Sequence, residues 1–206
     1  MWLIFDVGQI MISRRALLSS IALLPLSLCA VAVAQSRDKR ASASQDRRYT
    51  KAVREVTAKI QIDRARWKYM ICHHSAMKEG NAATYDKQHR KRRMENGLAY
   101  HFVIGNGVDS GEGHIEVGQR WVRQIKGGHV KSDALNEVGI GICLVGNFEV
   151  AAPSARQIDA LCELIDYLRA AVGKHLKLQS HAEAHPGHTA CPGKYFPLKR
   201  LHARYG

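Results

Sequence analysis

A run of seven residues without a charged or polar side chain, Gly139 to Val145 (GIGICLV), most constrains the fold of this chain. Strands with one solvated face alternate apolar and polar residues, whereas an unbroken apolar run is typical of a central strand covered on both faces. Residues 157–172 follow with apolar positions three and four apart, which predicts an amphipathic helix, and Ser154 is a candidate N-cap. The pattern predicts an α/β fold: a single domain with a central mixed β-sheet flanked by helices.

Shorter patterns in the sequence predict further strands and helices along the chain. Strands are expected at Trp67–His74, Tyr100–Ile104 and His114–Gly118, and further helices at 49–62 and 82–94. We place the domain itself at residues 63–206.

The N-terminal residues have the pattern of an export signal. Arg14 and Arg15 precede an apolar, small-residue run that ends in a small-x-small cleavage pattern at Ala34. We therefore expect residues 1–34 to be a signal peptide, of the Sec or twin-arginine type, and the protein to be exported to the periplasm or to the cell wall and extracellular space. Serines and a proline interrupt the run, so no permanent membrane anchor is expected. Since the arginine pair follows Met11, that residue is an alternative translation start.

Residues 35–62 are expected to join the signal to the domain as a charged tether and a short helix. Removal of residues 1–34 changes the formal net charge from +13 to +12, which favours polyanionic partners. Outside the cell these are acidic wall polymers or anionic muropeptides. No aromatic-interleaved basic motif or zinc-finger spacing is present, so nucleic acid is not expected as a partner. We expect a monomer.

Two segments concentrate residue types that bind metals. The first is Cys72-His73-His74 on a predicted strand, and the second contains His181, His185, His188 and Cys191. A catalytic zinc site uses three protein ligands and one open position, and it accepts imidazole and thiolate donors. Because strand side chains alternate between faces, only one histidine of the adjacent pair can point into a given site.

Four ordered motifs in the chain resemble the N-acetylmuramoyl-L-alanine amidase family, which includes T7-lysozyme-like amidases and peptidoglycan recognition proteins. The motifs are YMICHHSA at 69–76, LAYHFVI at 98–104, GIGICLVG at 139–146 and the segment from His181 to Gly193. The resemblance covers about residues 64–200. It implies the fold and the activity of a zinc-dependent amidase, which cleaves the lactyl amide between N-acetylmuramic acid and L-alanine of the stem peptide. The alternative is a non-catalytic module that binds peptidoglycan.

The resemblance also implies one Zn²⁺ ion held by His73, His181 and Cys191. The loop from His181 to Cys191 is longer than in similar proteins, which leaves His185 or His188 as alternative sources of the second imidazole.

The same resemblance implies roles for further residues. Tyr100 is expected beside the metal, where it stabilises the oxyanion or positions water. Thr189 is expected to donate a hydrogen bond from its hydroxyl to the oxyanion. His129, after two glycines, matches a substrate-groove element. Asn136, in a predicted loop before the central strand, and His188, at the site edge, are also predicted to contact the substrate.

Overall fold

The computed structural model describes residues 48–206, and these residues build a five-stranded sheet with the order β3-β2-β4-β1-β5. The predicted signal peptide lies outside the described residues. Strands β2 and β3 are antiparallel, and the other neighbouring pairs are parallel, so the sheet is mixed as predicted. The strands are β1 (Tyr69–His74), β2 (Phe102–Ile104), β3 (Ile115–Val117), β4 (Gly139–Leu144) and β5 (Lys177–Ser180).

Among the described residues, helices precede, connect and follow these strands. They are α1 (Lys51–Thr57), α2 (Ala82–Lys91), α3 (Gln119–Val122), α4 (Asp133–Val138), α5 (Ala155–Ala171), α6 (His181–Ala184) and α7 (Leu198–Tyr205). No helix within residues 48–206 is long and apolar enough to cross a membrane.

Strand β4 lies in the middle of the sheet, and every one of its residues is buried. Ile140, Ile142 and Leu144 pack into the larger apolar core, which also contains residues of α1, α5 and α7. Cys143 belongs to a smaller core on the opposite face, which contains Tyr85 of α2. The strand therefore needs apolar side chains on both faces, which is why its sequence does not alternate.

Helix α5 begins at the predicted cap. The Ser154 hydroxyl accepts a hydrogen bond from the Gln157 N–H, and the Gln157 side chain accepts one from the Ser154 N–H, which forms a capping box. The strand predicted from residue 100 begins later, because the pairing of β2 with β4 starts at Phe102. Tyr100 therefore lies in the segment before β2.

Helix α1 is held on the sheet rather than standing apart from it. Val53 is fully buried, and the Trp121 indole donates a hydrogen bond to the Thr57 hydroxyl. The Glu163 carboxylate accepts hydrogen bonds from the backbone of Tyr49 and Thr50. Helix α1 therefore packs within the same compact unit as the sheet.

Candidate metal centre

Strand β1 carries the two adjacent histidines to opposite faces of the sheet. His73 is almost fully buried, and its ring lies beside that of His181 with centroids 4.6 Å apart. His74 faces the larger core, where its Nδ1 accepts a hydrogen bond from the Phe148 N–H at 3.1 Å. The period of two along the strand thus directs one imidazole of the pair toward His181.

The end of strand β5 places His181 next to His73. Pairing of β1 with β5 ends at Cys72 and Ser180, so the next residue of each strand lies at the same edge of the sheet. Helix α6 begins at His181, and the Ser180 hydroxyl caps it by accepting a hydrogen bond from the Glu183 N–H. This turn holds the half-buried His181 at the sheet edge.

Cys191 returns to the same edge at the end of the following loop. Its carbonyl accepts a hydrogen bond from the Ala182 N–H at 2.8 Å, and its sulfur accepts one from the His74 N–H at 3.4 Å. The Sγ atom lies 3.7 Å from Nδ1 of His73. The loop therefore brings a thiol against the imidazole that the strand presents.

One ligand atom from each of His73, His181 and Cys191 lies within 4.8 Å of the others. A tetrahedral zinc site with ordinary bond lengths separates a nitrogen and a sulfur ligand by roughly 3.6 Å, close to the observed 3.7 Å between His73 and Cys191. Two imidazoles and one sulfur suit zinc, and three protein ligands are the number found in catalytic zinc centres. The donor set therefore fits the implied ion.

The protonation of the two imidazoles also suits a metal site. Burial lowers the pKa of His73 well below its usual value and also lowers that of His181, so both imidazoles are neutral at pH 7. Burial raises the pKa of the Cys191 thiol to about 11, partly offset by the His74 N–H. A cation at this position would favour the thiolate.

His185 and His188 stand apart from this cluster. Among the described residues, the one group with metal-ligand spacing contains His181 and neither alternative. The rings of His185 and His188 pair with each other at 5.0 Å, and His188 is exposed. The Nε2 atom of His185 is buried without a hydrogen-bond partner.

Tyr100 and Thr189 both border the ligand cluster. The Tyr100 ring lies 5.2 Å from that of His73, and burial, reinforced by the nearby Cys143 and Cys191 thiols, raises the pKa of Tyr100 well above its usual value. The phenol therefore keeps its proton. Thr189 Oγ1 accepts a hydrogen bond from the Cys191 N–H at 3.1 Å, which leaves the hydroxyl hydrogen free to donate elsewhere.

His129 and Asn136, predicted to contact substrate, are both buried. Asn136 lies in helix α4 and not in a loop, because Ser132 caps a short helical turn there through the Leu135 N–H. Its side chain hydrogen-bonds the backbone of His129 and Val130. Both ring nitrogens of His129 lie within hydrogen-bond distance of protein groups. The structure therefore places His129 against His73, with Asn136 holding the backbone segment that carries the imidazole.

Two contributors to the site were missed by the sequence analysis. The pattern Ser180-x-x-Glu183 is a capping-box signature and could have located the helix that begins at His181. His89 of α2 lies beside Tyr100, with ring centroids 5.8 Å apart, and its Nδ1 accepts a hydrogen bond from the Ala99 N–H. Nothing in the local pattern distinguishes that histidine from an ordinary helix residue.

Residues 63–194, which include the ligand cluster, match a known protein family. The family model for N-acetylmuramoyl-L-alanine amidase matches residues 63–194. No curated protein matches the chain at a significant level.

Several solved structures have a similar fold. The endolysin N-acetylmuramoyl-L-alanine amidase LysCS from Clostridium intestinale is 24% identical over 68% of this chain and 83% of its own, with a TM-score of 0.57. A mutant of Drosophila PGRP-LB in complex with tracheal cytotoxin is 23% identical over the same shares, with a TM-score of 0.54. Bumblebee PGRP-SA is 21% identical over the same shares, again with a TM-score of 0.54. Because the family model matches residues 63–194, this chain belongs to the N-acetylmuramoyl-L-alanine amidase family.

Proposed function

We propose that this protein is a zinc-dependent N-acetylmuramoyl-L-alanine amidase that hydrolyses the lactyl amide between N-acetylmuramic acid and L-alanine. The substrate is peptidoglycan or the muropeptides released from it. The observation that carries the proposal is the complete cluster of His73, His181 and Cys191, whose ligand atoms lie within 4.8 Å of one another. Family membership supports the same substrate bond.

Within this proposal, the cluster holds one Zn²⁺ ion. When bound, zinc acts as a Lewis acid that polarises a carbonyl and makes water a stronger nucleophile at neutral pH. The two imidazoles are neutral because of burial and offer free electron pairs. Cys191 contributes a negative charge once its proton has left.

Two hydroxyl groups beside the cluster support the charge that develops on the amide oxygen. Tyr100 stays protonated because it is buried, so its phenol can donate a hydrogen bond to an oxyanion. The Thr189 hydroxyl is fixed by the Cys191 N–H and can donate toward the same region. Neither group carries a positive charge. The exposed His188 on the preceding loop is proposed to contact the substrate at the rim of the site.

The composition of the chain supports export of the protein and its binding to an acidic cell wall. The formal net charge of +13 favours anionic polymers and muropeptides, and the N-terminal pattern favours transport out of the cytoplasm. We propose a monomeric enzyme of the periplasm or cell wall that does not use nucleic acid as a partner.

The second candidate is recognition of peptidoglycan without hydrolysis. It is favoured by the similar fold of PGRP-LB, whose structure was solved in complex with tracheal cytotoxin. A module that only binds has no need for the three-ligand cluster, so the retained ligands favour the enzyme.

The test is hydrolysis of purified peptidoglycan by the metal-loaded protein, followed through the new L-alanine amino termini. We expect release of stem peptides, loss of activity with a chelator, and recovery on adding Zn²⁺. Cys191→Ala should abolish activity, while Cys162→Ala, a matched change of a buried cysteine in α5, should retain it. Binding of peptidoglycan without any released amino termini would favour the recognition module instead.

A further inference from the structure

The buried imidazole of His129 lies directly behind His73. Nε2 of His73 and Nδ1 of His129 are 3.0 Å apart, and Nε2 of His129 is 3.2 Å from the carbonyl oxygen of Gly139. His73 is 1% exposed and His129 is 7% exposed, so protein groups and not bulk solvent satisfy these nitrogens. The three groups form a short hydrogen-bonded chain that ends on the central strand.

The direction of this chain follows from its last member. A carbonyl oxygen only accepts hydrogen bonds, so Nε2 of His129 must carry the hydrogen. A buried ring without a carboxylate partner is neutral, which leaves Nδ1 of His129 as an acceptor. The donor to it is then Nε2–H of His73. In the resulting tautomer, Nδ1 of His73 has a free electron pair, and this is the atom 3.7 Å from the Cys191 sulfur.

Two glycines form a slot that fits the His129 ring. A Cβ atom added to Gly127 or to Gly141 would overlap the ring of His129. Glycine in the interior of a strand weakens it and often marks close approach by another group. Gly141 is in the middle of β4, so the ring provides a physical reason for its presence.

The backbone of His129 is held as firmly as its ring. The Asn136 side-chain oxygen accepts hydrogen bonds from the N–H groups of His129 and Val130 at 3.0 and 3.2 Å. Its amide nitrogen donates to the Val130 carbonyl at 2.7 Å. Helix α4 therefore fixes the segment that places the imidazole behind His73.

We propose that His129 is a positioning residue, which holds His73 in the tautomer and orientation that direct Nδ1 toward the metal. The inference rests on the proposed function in that His73 is taken as a metal ligand. Both ring nitrogens of His129 are used within the protein, which accounts for its burial better than the substrate contact predicted from the sequence. Asn136 and the glycine slot support the same arrangement.

The consequence is a gain in metal affinity without a fourth ligand. When His129 is absent, His73 exchanges between tautomers and loses one of the contacts that orient its ring. Loss of such outer partners typically lowers metal affinity by roughly 10–100-fold.

The test compares His129→Leu and His129→Gln with His175→Asn as the control. The His175 ring also bonds a backbone carbonyl, that of Trp67 at 3.0 Å, and not a metal ligand. Zinc affinity is measured by competition with a chelator. Separately, the ring nitrogens of His73 are assigned in the metal-free protein by long-range ¹⁵N–¹H NMR.

We expect hydrogen on Nε2 and none on Nδ1 of His73 in the wild-type protein. His129→Leu should mix the two tautomers and weaken zinc binding by roughly 10–100-fold. His129→Gln, whose amide oxygen can accept the same hydrogen bond, should recover most of the affinity. The His175→Asn control should leave both readouts near those of the wild-type protein.

Hydrogen on Nδ1 of His73 in the wild-type protein would overturn the proposal, as would wild-type zinc affinity in folded His129→Leu. If His129→Leu does not fold, the wild-type tautomer and the His129→Gln affinity decide. The NMR readout requires neither metal nor substrate, so a protein that fails to hydrolyse peptidoglycan still tests the role of His129. The proposed function and this inference can therefore fail separately.

Discussion

Ser180 and Glu183 cap each other at the point where strand β5 becomes helix α6. The Glu183 carboxylate accepts hydrogen bonds from the Ser180 N–H at 2.8 Å and from its hydroxyl at 3.1 Å, and the Ser180 hydroxyl accepts from the Glu183 N–H at 3.1 Å. His202 of α7 lies 2.9 Å from the same carboxylate. His181 is the first residue of the capped helix, so the capping box also orients a proposed metal ligand.

We expect Ser180→Ala to lower the free energy of unfolding by about 1 kcal/mol, the usual effect of losing an N-cap. It should also weaken zinc binding several-fold, because the turn that carries His181 becomes looser. Ser154→Ala is the matched control, since Ser154 forms the same kind of capping box in α5 but adjoins no ligand. Equal zinc affinity in both variants, measured by chelator competition, would argue against a link between the cap and the metal site.

Tyr100 should contribute to the reaction more than to metal binding. Tyr100→Phe removes the phenolic hydrogen that is proposed to support the oxyanion, so kcat for stem-peptide release should fall by roughly 10²–10³-fold. Zinc affinity should stay within about twofold, since the ring remains beside His73. Tyr85→Phe is the control: the Tyr85 hydroxyl donates to the Glu79 carbonyl, outside the ligand cluster. Comparable losses in both variants would remove the proposed role of the Tyr100 hydroxyl.

Acid should destabilise the metal-free protein through its buried neutral histidines. Burial lowers the pKa of His101 well below its usual value, while a histidine in the unfolded chain titrates near pH 6.5. The unfolded state therefore binds a proton that the native state does not, and stability is lost as pH falls below about 6.5. One such histidine contributes up to about 1.4 kcal/mol per pH unit until its native pKa is reached.

Urea unfolding of chelator-treated protein at several pH values between 7.5 and 5 checks this expectation. His101→Asn should lower stability at pH 7.5 by about 1–3 kcal/mol, because the Ile125 carbonyl loses its partner. It should also make the loss of stability on acidification less steep. An unchanged slope in the variant would mean that His101 does not titrate on unfolding.

The hydrogen bonds that hold the start of helix α1 lead to a separate prediction about stability. Glu163 accepts hydrogen bonds from the Tyr49 N–H, the Thr50 N–H and the Thr50 hydroxyl at 3.0, 2.9 and 2.6 Å. Glu163→Ala leaves buried donors without partners and should lower the free energy of unfolding by about 2–3 kcal/mol.

Limited proteolysis near α1 should become faster in the same variant. Glu112→Gln, which removes an exposed ion pair with Arg156, is the control and should change stability by less than about 1 kcal/mol. If proteolysis near α1 and unfolding of Glu163→Ala match those of the control, the carboxylate does not anchor the helix.

Local patterns were enough to predict much of the architecture. The apolar run of β4, the stripe of α5 and its Ser154 cap depend on neighbours along the chain, and the structure confirms all three. The short helices α3, α4 and α6 were not predicted, because four to six residues carry too little periodicity. Asn136 was consequently expected in a loop, although it lies in α4.

The same distinction between local pattern and tertiary packing applies to the candidate site. The sequence by itself determined that His73 and His74 face opposite ways, because side-chain alternation is a property of any extended strand. It also supplied the motif order that identifies the family.

Only the tertiary structure decided which histidine of the C-terminal loop joins His73, and where His129 lies. His181, His185 and His188 are close in sequence and chemically alike, and what separates them is where β5 ends against β1. His129 faces His73 across 56 positions in the chain. Such contacts depend on strand order and on the space that Gly127 and Gly141 leave free, and these arise only when distant segments pack together.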